Sequence, residues 1–180
     1  TGGGAGAPRA MVSSTGKAFV PLAQVLATPS PAKFCSLVQL VSYWPRDTTR
    51  FLVEAAPSPG GALSSGFLFA LHVKDDNAET DLVVAGDDAV YFLRGELPEL
   101  YGTAAAERVK IMLDSLIESG EIFEVHMVSF MSLTNASDLD HRPMLKRLRI
   151  FATEMPAAAD PAVSTAAAAP AAAGGAAARA

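Results

Sequence analysis

The sequence predicts an all-β domain with one main helix, a small and strongly bent barrel, and three observations lead there. Val109, Met112, Leu113, Leu116 and Ile117 recur at helical spacing, which puts one apolar stripe on a helix that Thr103 can cap and Gly120 can stop. Immediately afterwards the pattern shortens to period two, with Phe123, Val125 and Met127 on one face and Glu124 and His126 on the other. At Val128 and Phe130 the apolar phase changes face, and a long strand that switches phase needs a bulge or a sharp coil. Further strand-like runs, separated by Pro, Gly and Asp clusters, flank this unit on both sides.

In chain order, 1–16 is rich in Gly, Ala and Ser and reads as a linker. Gly16-Lys17 resembles the end of a phosphate loop, but Met11 and Ala18 occupy positions that such a loop gives to Gly and to Ser or Thr. Pro21 can open a short helix through Leu26. Residues 34–44 form a long first strand, buried on both faces for part of its length and ended by Pro45. A brief strand at 50–54 precedes a Pro- and Gly-rich loop, after which Phe67, Phe69, Leu71 and Val73 line the core face of a clear strand. Asp75-Asp76-Asn77 makes a turn into a return strand at 82–85, and Asp87 and Asp88 can cap a short helix through Leu93. After the main helix and its following strand, a polar run 134–143 leads to a last strand at 145–153. Leu148, Ile150 and Ala152 share one face there, and Arg147, Arg149 and Phe151 the other. From Pro156 the chain is almost wholly Ala, Pro and Gly without an apolar face, a disordered tail by composition. The folded domain is expected at 17–155.

With 180 residues, half of them hydrophobic, the chain suits one domain with a real core. Cys35 is its one cysteine, which excludes an internal disulfide and a multi-cysteine zinc site. No apolar run reaches membrane-spanning length and no signal peptide opens the sequence, so a soluble intracellular protein is expected. The formal charge is −5, but 75–140 holds three basic against fifteen acidic residues, a net −12 that repels phosphate. Arg142, Lys146, Arg147 and Arg149 cluster near the last strand, where a solvated face is the simpler reading than a nucleic-acid groove.

Counting the major strands, the order is three strands, helix, two strands. That is the element order of an OB-fold, a Greek-key barrel of about five strands with a helix between the third and fourth. The runs Asp88-Ala89-Val90-Tyr91-Phe92-Leu93, Arg108-Val109-Lys110-Ile111-Met112-Leu113-Asp114, and Val128-Ser129-Phe130 with Leu148-Arg149-Ile150-Phe151-Ala152-Thr153 resemble the C-terminal OB domain of the protection-of-telomeres family. Pro21-Leu22-Ala23-Gln24-Val25-Leu26 and Val41-Ser42-Tyr43-Trp44-Pro45 are similar to the start of that domain. The resemblance implies a non-catalytic module that binds a telomere-associated protein, within a nuclear protein at chromosome ends whose other domains hold single-stranded telomeric DNA. Animal members insert a nuclease-like domain into this barrel and carry a cysteine cluster for zinc. Here the corresponding place is the loop 56–66, and Cys35 alone cannot form the cluster.

Trp44, Phe51, Tyr91 and Phe92 are the candidate partner anchors, since they lie near strand or helix ends where a core role is least required. The alternative is that the barrel itself binds single-stranded DNA or RNA through Arg142, Lys146, Arg147 and Arg149, with Phe151 as a stacking platform. No catalytic residue, cofactor or metal is expected. His72 with Asp75, Asp76 and Asp81 reads as a solvated turn, His126 with Glu124 as a surface pair, and Cys35 as a buried structural thiol.

Overall fold

In the computed structural model, which describes residues 13–14, 16–54, 65–133 and 144–156, the first strand organises the barrel. β1 (Ala32–Trp44) is long enough to serve two neighbours. Its first part runs antiparallel to β5 (Ile122–Leu133), from Ala32 opposite Ser129 to Gln39 opposite Ile122. Its last part runs antiparallel to β3 (Ser65–Lys74), from Gln39 opposite Lys74 to Trp44 opposite Ala70. Between Leu40 and Ser42 the register shifts by one residue, leaving Val41 as a bulge that bends the strand from one neighbour to the other.

β3 continues through a hairpin into β4 (Glu79–Ala85), and β5 pairs antiparallel with β6 (Met144–Ile150). A short parallel contact between β4 and β6, Leu82 opposite Leu148 and Val83 opposite Arg149, closes the ring. The three-residue β2 (Leu52–Glu54) attaches outside it, to β3. There are thus six strands among the described residues, five of them in the ring, and the main helix follows the third ring strand as expected.

The helices plug and brace the barrel. α1 (Leu22–Ala27) and α2 (Gly86–Phe92) deliver Leu22, Val25, Ala89 and Phe92 to the core. α3 (Thr103–Ser119) buries Ala105, Ala106, Val109, Leu113 and Leu116, with Met112 and Ile117 partly buried at the edges of the same stripe. Two polar contacts fasten α3 to the first strand and the turn after it: the Tyr43 hydroxyl donates to Asp114 (2.9 Å) and Thr48 Oγ1 to the carbonyl of Ala106 (2.8 Å). The hairpin turn is held by Asp75, whose Oδ1 accepts from the amides of Asn77 and Ala78 while Oδ2 accepts from Leu22 at 2.6 Å. No helix of the described residues is long and apolar enough to cross a membrane.

Four local expectations are corrected. The N-cap of α3 is Gly102, with Thr103 already helical and no side-chain cap, while Gly120 ends the helix at φ +62° as expected. Asp87 and Asp88 lie within the first turn of α2, after an Ala85 N-cap, so they face the positive helix end as charges and not as the capping residue. β5 does not change phase: Phe123, Val125, Met127 and Ser129 are buried in alternation with the partly buried Glu124, His126, Val128 and Phe130, and its pairings with β1 and β6 are unbroken. The inward place that looked polar belongs to Ser129, fully buried because its hydroxyl accepts from the Ala32 amide at 3.0 Å. The bend sits in β1 instead. Finally, β6 stops at Ile150, since Ala152 turns the chain with φ +43° and the buried Thr153 hydroxyl, not a strand backbone, takes the His126 amide at 2.9 Å.

Candidate functional site

The basic residues of β6 do not form an open cationic groove. Lys146 reaches back to α1, where its ammonium donates to the carbonyls of Val25, Leu26 and Thr28, acceptors left without partners at a helix C-terminus. Burial holds its pKa below the ordinary lysine value. Arg149 bonds Asp88 at 2.9 Å and the Ala85 carbonyl at 3.1 Å, tying β6 to the start of α2. Arg147 is exposed, and Arg142 lies outside the described residues. Phe151 is half-buried against the His126 ring (5.8 Å between centroids), with the Lys33 ammonium 5.3 Å above it. Sequence order made these cations look like one patch, but Lys146 and Arg149 turn to different acceptors within the fold.

In OB-folds the second and third ring strands commonly present the ligand face. Here these are β3 and β4, and their outer surface carries His72 clamped between Asp81 (2.8 Å) and Glu79 (3.2 Å). The Asp81 contact raises the His72 pKa, burial opposes it, and Glu79 adds to the rise. Of Asp75, Asp76 and Asp81, read with His72 as a solvated turn, only Asp81 bonds His72; Asp75 faces α1 and the turn.

The four candidate anchors divide into two pairs. Phe51 and Phe92 are 0% exposed and are core residues, which corrects their expected surface role. Phe51 closes a 3₁₀ turn begun by Asp47 and stacks on Phe69 at 4.2 Å, and Phe69 in turn lies 6.2 Å from Phe92. Trp44 is 70% exposed and Tyr91 53%. They line different cavities. Trp44 borders a hollow of about 300 Å³ with Ser42, Ala70, His72 and Asp81. Tyr91 borders a groove of about 640 Å³ with Val90, Leu97 and Pro98, rimmed by Asp87, Arg94 and Glu99. Leu97, which the sequence pattern did not single out, is exposed in this groove; the available signal was an apolar residue between Glu96 and Pro98 in a connector outside any periodic run.

A third constellation lies on the outer face of β1 and β5. Cys35 Sγ donates to Glu124 Oε1 (3.4 Å), and His126 Nε2 lies 2.8 Å from the same oxygen. The amide and hydroxyl of Ser14, from the stretch read as linker, hold the two carboxylate oxygens at 2.9 and 2.8 Å. Burial, then the hydrogen bond and charge of Glu124, push the Cys35 thiol up to about 11, so it is protonated at neutral pH and a poor nucleophile. These three side chains are the group of possible metal ligands that converges among the described residues.

The closed ring, its parallel seam between β4 and β6, and the helix after the third ring strand make this an OB-fold domain. No protein-family model and no curated protein matches the chain. Among solved structures it is similar to the crystal structure of fission yeast Pot1 and Tpz1, at 19% identity and TM-score 0.55, over 77% of this chain and 91% of that one. Two further similar chains come from replication protein A. One is in a heterotrimer bound to ssDNA, at 12% identity and TM-score 0.45 over 69% of this chain and 32% of that one. The other is in yeast RPA bound to ssDNA, at 11% identity and TM-score 0.46 over 73% and 84%. At these identities the likeness is one of fold.

Proposed function

We propose that this OB domain is a non-catalytic protein-interaction module of a telomere end-protection protein, binding a telomere-associated protein while other domains of the full-length protein hold single-stranded telomeric DNA. The observation that carries the choice of a protein over a nucleic acid is the engagement of Lys146 and Arg149 inside the fold. A strand-binding barrel needs free cations along its groove and open aromatic faces. Here the β3–β4 face carries two carboxylates around His72, and the open aromatics are Trp44 and Tyr91, each beside acidic groups. The telomeric setting is supported by the residue runs that resemble the protection-of-telomeres family and by the fold shared with the Pot1 and Tpz1 structure. That setting implies a nuclear protein at chromosome ends.

The mechanism is burial of a partner's apolar side chains in the groove of Tyr91 and Leu97, its acidic rim favouring a segment with basic flanks. The test is fluorescence anisotropy of the chain with a G-rich single-stranded oligonucleotide across a salt series, beside pull-downs of telomere-associated proteins. Negligible DNA binding at near-physiological salt, with partner capture lost on Tyr91→Ala, is expected. Tight, salt-sensitive DNA binding abolished by Arg147→Glu would make the barrel itself the nucleic-acid reader.

A further inference from the structure

We propose that Cys35, Glu124 and His126 form a zinc site on the outer face of the barrel, with three protein ligands and a fourth position for water. The convergence is set by sheet register. Cys35 and His126 are direct partners across the β1–β5 ladder, so their side chains leave the same face together, and Glu124 follows two residues along that face. The sulfur, an imidazole nitrogen and a carboxylate oxygen all lie within 4.8 Å of one another. A four-coordinate zinc with metal–ligand lengths of about 2.0–2.3 Å holds its donors roughly 3–4 Å apart, so the site closes by small rotations of side chains already in place.

The surroundings are those a metal site needs. Cys35 is 2% exposed, and Glu124 and His126 are partly buried. Ser14 grips both oxygens of Glu124 and fixes the carboxylate, while the Phe151 ring lies against the His126 ring. Access is provided by a cavity of about 440 Å³ that Ser14, Glu124, His126 and Tyr91 line together. The donor set selects the ion: Ca²⁺ and Mg²⁺ take oxygen ligands, whereas thiolate, imidazole and carboxylate together suit Zn²⁺. On binding, the S–H bond of Cys35 gives way to an S–Zn bond and its proton passes to solvent, the cation reversing the local effect of Glu124.

Tag-free protein, stripped with chelator, is titrated with Co²⁺ as the optical probe. The expected result is one Co²⁺ per chain, a thiolate-to-cobalt charge-transfer band in the near ultraviolet, intensified visible bands of four-coordinate cobalt, and loss of all of them on adding Zn²⁺. Cys35→Ser, close to isosteric, abolishes the charge-transfer band. Glu124→Gln and His126→Gln weaken Co²⁺ binding by about 10-fold or more. His72→Ala, at the other histidine–carboxylate cluster, leaves the titration unchanged. Circular dichroism establishes that each variant is folded, and the wild-type band decides the matter even where a variant is not. Absence of that band in the wild-type protein, or an unchanged band and affinity in folded Cys35→Ser, would overturn the proposal and leave a hydrogen-bonded polar cluster.

Discussion

Asp75 does the work of three caps with one carboxylate. Its oxygens accept amides from Asn77 and Ala78 in the β3–β4 turn and from Leu22 at the start of α1, joining elements far apart in the chain. Burial disfavours the charge, but these backbone donors outweigh it and hold the Asp75 pKa below its ordinary value. The depressed folded pKa sets the sign of the pH effect: the contribution is complete above the unfolded value near 3.8 and is lost as pH falls through the folded one. Asp75→Ala is therefore expected to lower unfolding free energy by about 1–3 kcal/mol at neutral pH. The gap from wild type should narrow in acid, as urea denaturation at a series of pH values would show. His72 has the opposite sign. Its raised pKa gives a contribution present below the unfolded value of 6.5 and lost as pH rises through the folded one, and its exposure keeps the effect small.

Helix ends and strand ends decide how the elements stop and meet. Gly120 ends α3 in the left-handed region, and a Cβ there would also come within 2.6 Å of the flexible end of Gln39. Gly120→Ala is expected to cost about 1–2 kcal/mol, nearly all of it backbone strain because the Gln39 amide can swing aside, and Gly120→Asn less. Denaturant midpoints for the two variants check the ranking. At the other end of the barrel Lys146 bridges β6 to the last turn of α1. Lys146→Met keeps the aliphatic stem and removes the donors, with an expected loss of about 1.5–3 kcal/mol of stability. A lysine that served only a nucleic acid would leave the melting curve unmoved.

Across the whole molecule the aromatic residues have two roles, one inside and one outside. Phe51→Ala empties a site between Tyr43 and Phe69, and about 3–5 kcal/mol of stability should be lost, read from thermal or urea unfolding. Tyr91→Ala and Leu97→Ala should leave the unfolding curve near wild type while partner capture falls about 10-fold or more, the pattern of an interface anchor. Much of the architecture was legible from sequence because its signals are local. The stripe of α3, the glycine stop, the Asp75 turn and the period-two face of β3 each lie within a few neighbouring residues. Contacts between distant residues were not legible. Cys35 meets His126, and Lys146 meets Thr28, only because the ring brings β1, β5, β6 and α1 together. The inward serine of β5 looked like a phase change because burial of a hydroxyl depends on a partner, Ala32, that no periodicity reveals. By itself the sequence determined the elements, their order and hence the OB-fold, since backbone propensity and apolar period act over short range. Tertiary structure alone decided which aromatics are core, which cations remain free and which side chains converge, because each depends on what the closed barrel places opposite them.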